Sequence, residues 1–221
     1  MSWDGVWEKI FQEQEWGKYP GEDLIRFIAR NFYSTPNRSE IKLLEVGCGP
    51  GANLWYAARE GFTVYGVDGS ATAINRASNR LERECPGWSG ELVVGDILQL
   101  PFPDDFFDAV IDSEAVYCNS FRHSQEIYNE MARVTKKGGK LFSRTFATGS
   151  WGDQTGEKVE HNSYLVNEGP LAGKGVSRFT DYKEIHELIQ RFEISEIQLI
   201  TRKYMAIDRE VKEWVITGEK R

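Results

Sequence analysis

The stretch Ile41–Leu54, IKLLEVGCGPGANL, constrains the fold of this chain more than any other. Ile41, Leu43, Leu44 and Val46 make a short apolar run, the pattern of a strand buried on both faces. Gly47, Gly49 and Gly51 follow with Pro50 among them, and Ala52, Leu54, Trp55 and Ala58 then open a helix. A strand that passes through a glycine turn into a helix brings bare backbone N–H groups against a nucleotide-sized ligand. Glycine is needed where a Cβ would forbid a positive φ or block the ligand. An ordinary strand-to-helix turn needs one or two glycines. Three at alternate positions predict a cofactor cleft at the C-terminal end of this strand.

The rest of the chain alternates between the two periods. Trp3, Val6, Trp7, Ile10 and Phe11 have helical spacing, and Trp16 and Tyr19 follow. Residues 1–36 therefore read as a helical cap, either packed on the core or acting as a lid whose Trp16 and Tyr19 close over the cofactor. Glu22 to Phe32 reads as a helix, and Phe62 to Val67 as a second strand ending at Asp68-Gly69. Ser70 caps a helix through Ala73, Ile74, Ala77 and Leu81, and Glu91 to Val94 is a third strand ending at Gly95-Asp96. Phe107 to Ile111 is a fourth strand leading into Asp112-Ser113-Glu114. Ser124 is the expected cap of a helix ending in Lys136-Lys137-Gly138-Gly139, since cations followed by glycine commonly close a helix. Lys140 to Phe146 is a fifth strand, Thr180 and Asp181 open a helix reaching Phe192, and Ile194 to Ile200 and Glu213 to Thr217 pair as an antiparallel edge. The expected fold is a single α/β domain over 1–221: a Rossmann-like, mostly parallel seven-stranded sheet with helices on both faces and an antiparallel last strand. Residues 147–179 are too long for a plain connector and leave the strand edge that carries the glycine turn, so they read as a substrate-binding cover.

Composition narrows the partners. A net charge of −7 argues against nucleic acid and against an anionic membrane surface. Cys48, Cys85 and Cys118 form no C-x-x-C pair, which suits a reducing cytoplasm and no metal site. The acidic, aromatic start is not that of a signal peptide, and no apolar run has the length of a membrane span. A monomer or homodimer is expected.

The first four strands each deliver a polar residue to one edge: Glu45 with Gly47, Asp68, Asp96 and Asp112. Gly47, Gly49 and Ala52 also fit the dinucleotide pattern G-x-G-x-x-G/A, so an NAD(P)-dependent oxidoreductase is an alternative on these residues alone. Taken in order, however, LLEVGCGPGANL at 43–54, VYGVDGS at 64–70, VVGDILQLPFPDDFFDAVIDSEAVY at 93–117 and EMARVTKKGGKLF at 130–142 resemble the class I S-adenosylmethionine-dependent methyltransferases. The resemblance implies S-adenosyl-L-methionine as cofactor and S-adenosyl-L-homocysteine as product. It implies that Gly47, Cys48 and Gly49 approach the methionyl part with Glu45 behind them, and that Asp68 with Gly69 holds the ribose hydroxyls. Asp96 would meet the adenine amino group, Ile97 would lie against the ring, and Asp112 or Ser113 would face the methionyl ammonium.

Methyl transfer is an in-line displacement, so alignment and exclusion of water supply much of the acceleration. A base is needed only where the acceptor loses a proton. Tyr117, His123 and His161 are the candidates on the expected edge. Trp151, Tyr164, Lys174 and Arg178 are candidates for acceptor contacts. The residues after the fourth strand, SEAVYCNS, lack the N-P-P-Y type sequence of base and glutamine N-methylation, which favours transfer to an O or N of a small molecule. A non-catalytic module that only binds the cofactor is the remaining alternative.

Overall fold

The computed structural model describes residues 3–221, so Met1 and Ser2 of the expected cap lie outside the described residues. A seven-stranded sheet has the order β3-β2-β1-β4-β5-β10-β9. Its parallel part is β1 (Lys42–Val46), β2 (Thr63–Asp68), β3 (Gly90–Val94), β4 (Phe107–Ser113) and β5 (Thr135–Phe146). β10 (Arg209–Lys220) runs antiparallel to both β5 and β9 (Phe192–Tyr204), as the edge pair at the chain's end predicts. The strand order reverses between β1 and β4, which opens a crevice beyond their C-terminal ends. Register keeps those ends level: Val46 pairs with Val67 on one side and with Asp112 on the other.

Alternation along β1 builds two cores. Leu43 packs with Leu24, Phe27 and Ile28 of α2 (Glu22–Phe32), Leu54 and Trp55 of α3 (Ala52–Arg59) and Ile74 and Leu81 of α4 (Ala71–Glu84). Leu44 and Val46 face the opposite layer, against Ile127, Met131 and Val134 of α5 (Phe121–Val134) and Ile185 and Leu188 of α6 (Tyr182–Leu188). Both faces of the central strands are dry, the reason their sequence is continuously apolar.

Three local expectations are corrected. The cap of α5 is Ser120, whose hydroxyl accepts from His123 N; Ser124 is buried inside the helix. Helix α5 stops at Val134, and the Lys-Lys-Gly-Gly run lies in β5, where Gly139 is packed too close to Thr135 and Lys136 for a Cβ. The last two strands are longer than their apolar cores suggest, because a hairpin is extended by backbone pairing whatever its solvent-facing residues are. Within 147–179 lies a small antiparallel sheet of β6 (Glu157–Glu160), β7 (Ser163–Leu165) and β8 (Val176–Arg178), with Tyr164, Leu171 and Phe179 beneath it.

Candidate cofactor cavity

A cavity of about 370 Å³ opens at the crevice. Its floor is the glycine turn, where Gly47, Gly49 and Gly51 all have positive φ (+62°, +51° and +79°). Gly47 is held by its N–H to Val67 O at 2.7 Å, and a Cβ there would meet the Cβ of Ala115 at 2.3 Å. The first glycine is thus needed for packing against the β4 turn as well as for its backbone angle.

Asp68 fastens this turn to the next. One carboxylate oxygen accepts from Gly49 N and the other from Ser70 N, each at 2.8 Å, and the group still borders the cavity. Burial pushes its carboxyl above the usual range, and those two backbone donors partly offset the effect. Glu45 is buried at the cavity wall. Its Oε1 accepts from Asn53 Nδ2 at 2.5 Å, while Oε2 has no hydrogen-bond partner. Desolvation raises its carboxyl to about 8, and the Asp68 and Asp112 charges add to the rise. Asp96 and Ile97 border the cavity on the β3 side, with Asp96 Oδ1 accepting from Leu98 N. Gly69, Cys48 and Ser113 border it too.

Asp112 does not. It is fully buried, and its oxygens accept from Ala115 N, Val116 N, Tyr128 Oη and Ser143 Oγ, so it shapes the turn after β4 from behind. The side chains that this turn presents are Ser113 and Glu114, the latter at φ +60°. Arg144 Nε lies 3.0 Å from Glu114, and both line the cavity.

The roof comes from α1 (Val6–Glu13) and the segments on either side of it: Trp3, Asp4, Trp7, Phe11, Trp16 and Tyr19. Trp7, Phe11 and Trp16 form a triangle with ring centroids 5.5–5.9 Å apart. From 147–179 only Pro170, Leu171 and Lys174 reach the cavity, and Lys174 Nζ sits 5.1 Å from the Trp16 ring.

The expected bases fare differently. Tyr117 borders the cavity, but it is buried against Phe146 and desolvation holds its phenol well above the usual value, which unfits it to accept a proton. His123 faces a separate shallow groove near Ser120 and Val159. His161 is on the surface, 3.7 Å from Glu184. Of the expected acceptor contacts, Lys174 lines the cavity. Trp151 packs against Tyr204, Tyr164 against Phe179, and Arg178 is buried beside Phe121, all away from it. Asp4, Glu114, Arg144 and Phe146 line the cavity as well, beyond the residues the sequence motifs point to. For Glu114 a signal existed, a second acid two residues beyond Asp112 at a strand end.

The description "methyltransferase domain" fits residues 44–143 by family model, the span that carries the glycine turn, Asp68, Asp96 and the β4 turn. That match supports a class I S-adenosylmethionine-dependent methyltransferase. A sterol 24-C-methyltransferase of Neurospora crassa is 31% identical over 180 residues, covering 75% of this chain and 43% of that one. A fatty-acid O-methyltransferase of Mycolicibacterium smegmatis is 33% identical over 123 residues, covering 53% and 43%. The chain thus spans under half the length of these curated relatives. A solved S-adenosylmethionine-dependent methyltransferase of Methanosarcina mazei superposes with a TM-score of 0.69 at 22% identity, over 82% of this chain and 93% of that one, which shows the shared fold.

The charge around the cavity also weighs against the nicotinamide alternative. Asp4, Glu45, Asp68, Asp96 and Glu114 border the cavity, against the cations Arg144 and Lys174, and Arg144 is already paired with Glu114 and Glu213. A pyrophosphate would meet an acid-rich wall, whereas a cation favours the charged form of those acids and is drawn in.

Proposed function

We propose that this protein binds S-adenosyl-L-methionine in the cavity beyond β1, β2 and β4 and transfers its methyl group to an oxygen or nitrogen of a small-molecule acceptor, leaving S-adenosyl-L-homocysteine. The observation that carries this reading is the meeting, around one cavity, of the glycine turn, Asp68, Asp96 and the unpartnered Glu45 Oε2. A buried carboxylate oxygen without a donor calls for a cationic or hydrogen-donating ligand group.

The backbone of Gly47 to Gly49 and Glu45 would hold the methionyl end, Asp68 and Gly69 the ribose, and Asp96 with Ile97 the adenine. Ser113, rather than the saturated Asp112, would serve the methionyl group from the β4 side. When bound, the sulfonium supplies a methyl carbon whose leaving group is a neutral thioether. Trp3, Trp7, Phe11, Trp16 and Tyr19 act as the lid that keeps water from that carbon. Residues 147–179 act as a cover through Pro170, Leu171 and Lys174. Tyr117, Phe146 and Leu171 give the acceptor side an apolar wall, which supports an acceptor with a substantial hydrocarbon part. The acidic cavity and the net charge of −7 favour a small molecule over nucleic acid. Three free cysteines agree with a reducing, cytoplasmic setting. Among the described residues there is no cluster able to hold a metal ion and no helix long and apolar enough to cross a membrane.

Calorimetry with S-adenosylmethionine and S-adenosylhomocysteine tests the reading. Both should bind, and a panel of hydroxyl and amine acceptors should then yield S-adenosylhomocysteine. Absence of heat with either ligand would sink the proposal; binding without turnover on any acceptor would reduce the protein to a binding module.

A further inference from the structure

The β4 side of the cavity, beside the glycine turn, carries a charge cluster that the cofactor reading leaves unused. Glu114, at the tip of β4, donates its backbone N–H to Arg144 O at 2.9 Å, which fixes its place against β5. Its side chain lies 3.0 Å from Arg144 Nε. The same guanidinium grips Glu213 of β10, with Nε to Oε1 at 3.1 Å and Nη2 to Oε2 at 2.6 Å. Arg202 of β9 closes on Glu213 from the other side. Three strands therefore converge to hold one carboxyl at the cavity surface.

The two acids are not equivalent. Glu213 is 3% exposed at its side chain, sits between two guanidinium groups and is held below the usual carboxyl range by Glu114 and Arg144 despite its burial. Glu114 keeps 34% of its side-chain surface open and lines the cavity. Desolvation and the bond to Glu213 raise its carboxyl to about 8, against the pull of Arg144 and Arg202. Its other charged or titratable neighbours are Asp112 behind the β4 turn and Tyr117 in the turn itself, with Asp23 of α2 acting on Arg144. The backbone of Glu114 is left-handed, a conformation that costs a non-glycine residue about 1 kcal/mol and survives only where the surroundings over-determine it.

We infer that Glu114 is the proton acceptor of this cavity, with Arg144 and Glu213 as positioning residues, and that a positively charged ligand strips it of its own proton and so readies it. This deepens the proposed methyl transfer and rests on it. The acceptor class is then one with an ionisable O–H or N–H. In the step, the X–H bond breaks as an O–H bond forms on Glu114, the pair left on X bonds the methyl carbon, and the pair of the S–CH₃ bond departs with sulfur. Between turnovers the proton leaves for solvent when the next cation enters. Glu45, also raised, is the rival group; it lies on the cofactor side of the cavity and its bond to Asn53 ties it to α3.

The test compares S-adenosylmethionine, a cation at sulfur, with the neutral S-adenosylhomocysteine. Heats of binding at pH 7 in two buffers of different protonation enthalpy give the protons released by each. The wild type should release more with the sulfonium, and Glu114→Gln should abolish the excess while keeping its melting temperature and its affinity for S-adenosylhomocysteine within about threefold, roughly the 0.7 kcal/mol scale of a weak contact. In the infrared, the protonated-carboxyl band of the empty protein should lose the Glu114 component in that variant. Glu213→Gln frees Arg144 for Glu114, so the titration of that band should move down by about one pH unit or more. An excess that survives Glu114→Gln and vanishes in Glu45→Gln overturns the inference, as does no excess at all. If neither ligand binds, the cofactor reading has failed instead.

Discussion

Glu8 of α1 reaches the N-terminus of α4, where its two carboxylate oxygens accept from Ser70 Oγ and from Thr72 Oγ1. Ser70 is the cap of α4 and immediately follows Asp68-Gly69, so the roof is buttoned onto the same turn that the ribose would meet. An acid at a helix N-terminus is favoured by the exposed N–H groups there.

Glu8→Ala should therefore loosen the roof more than the domain. Because Glu8 is near the surface, the expected loss is modest, about 1 kcal/mol or fivefold in affinity for S-adenosylhomocysteine. Limited trypsin digestion should cut faster at Lys9 and Lys18, with the melting temperature little changed. Unchanged affinity and cleavage would show that α1 does not close the cavity.

Asp68→Ala removes the carboxylate that joins two turns. It leaves Gly49 N and Ser70 N without their partner, at a cost of about 2 kcal/mol in urea unfolding. Ligand binding should fall by at least about 100-fold, the scale of a charge-assisted double contact. Wild-type affinity in a folded variant would refute the ribose role.

Glu45 makes the empty protein sensitive to alkali. Its unfolded value is 4.5 and its folded value about 8, so between these pH values the native state holds more protons than the unfolded chain. Stability falls as pH rises through that window and levels off above it. Urea unfolding from pH 5.5 to 8.5 should show this decline, and Glu45→Gln should flatten it in part, Glu114 and the other raised carboxyls contributing to what remains. A decline equally steep in the variant would mean that Glu45 is already ionised.

Gly51 is required by its neighbour as well as by its angle. With φ at +79° and the Cβ of Ala77 2.8 Å from where its own Cβ would be, Gly51→Ala should cost about 2–4 kcal/mol in backbone strain and overlap. Pairing it with Ala77→Gly should recover the overlap part but not the strain. Simple additivity of the two single variants would contradict the packing account.

Arg178 is 1% exposed and none of its guanidinium nitrogens has a hydrogen-bond partner. Burial drives its ionisation down, with Tyr128, Glu184 and Glu160 only partly opposing. Arg178→Met keeps the volume and removes the desolvated charge, so stability should hold or rise by up to about 2 kcal/mol. A loss of more than about 2 kcal/mol, on the scale of a broken buried pair, would mean that the cation has a partner after all.

Much of the fold was legible because local chemistry decides it. The run before Gly47 is apolar at successive positions since β1 is covered on both sides, and Gly47, Gly49 and Gly51 each adopt the left-handed backbone that glycine tolerates. The α5 to β5 junction departs from the local pattern: Lys136-Lys137-Gly138-Gly139 has the composition of a helix end, while pairing of Thr135 with Phe107 draws it into the sheet.

For the site, the sequence by itself determined which strand ends carry acids and where the backbone can approach a ligand: Glu45, Asp68 and Asp96 follow from spacing. Only the tertiary structure decided which carboxyl looks outward. Asp112 and Glu114 are two residues apart and both acidic, yet four donors turn the first inward while Arg144 holds the second at the cavity. Two of those donors, Ala115 N and Val116 N, are local to the turn, but Tyr128 of α5 and Ser143 and Arg144 of β5 lie farther along the chain. Long-range packing sets the direction and the proton affinity of a side chain, and no local pattern encodes it.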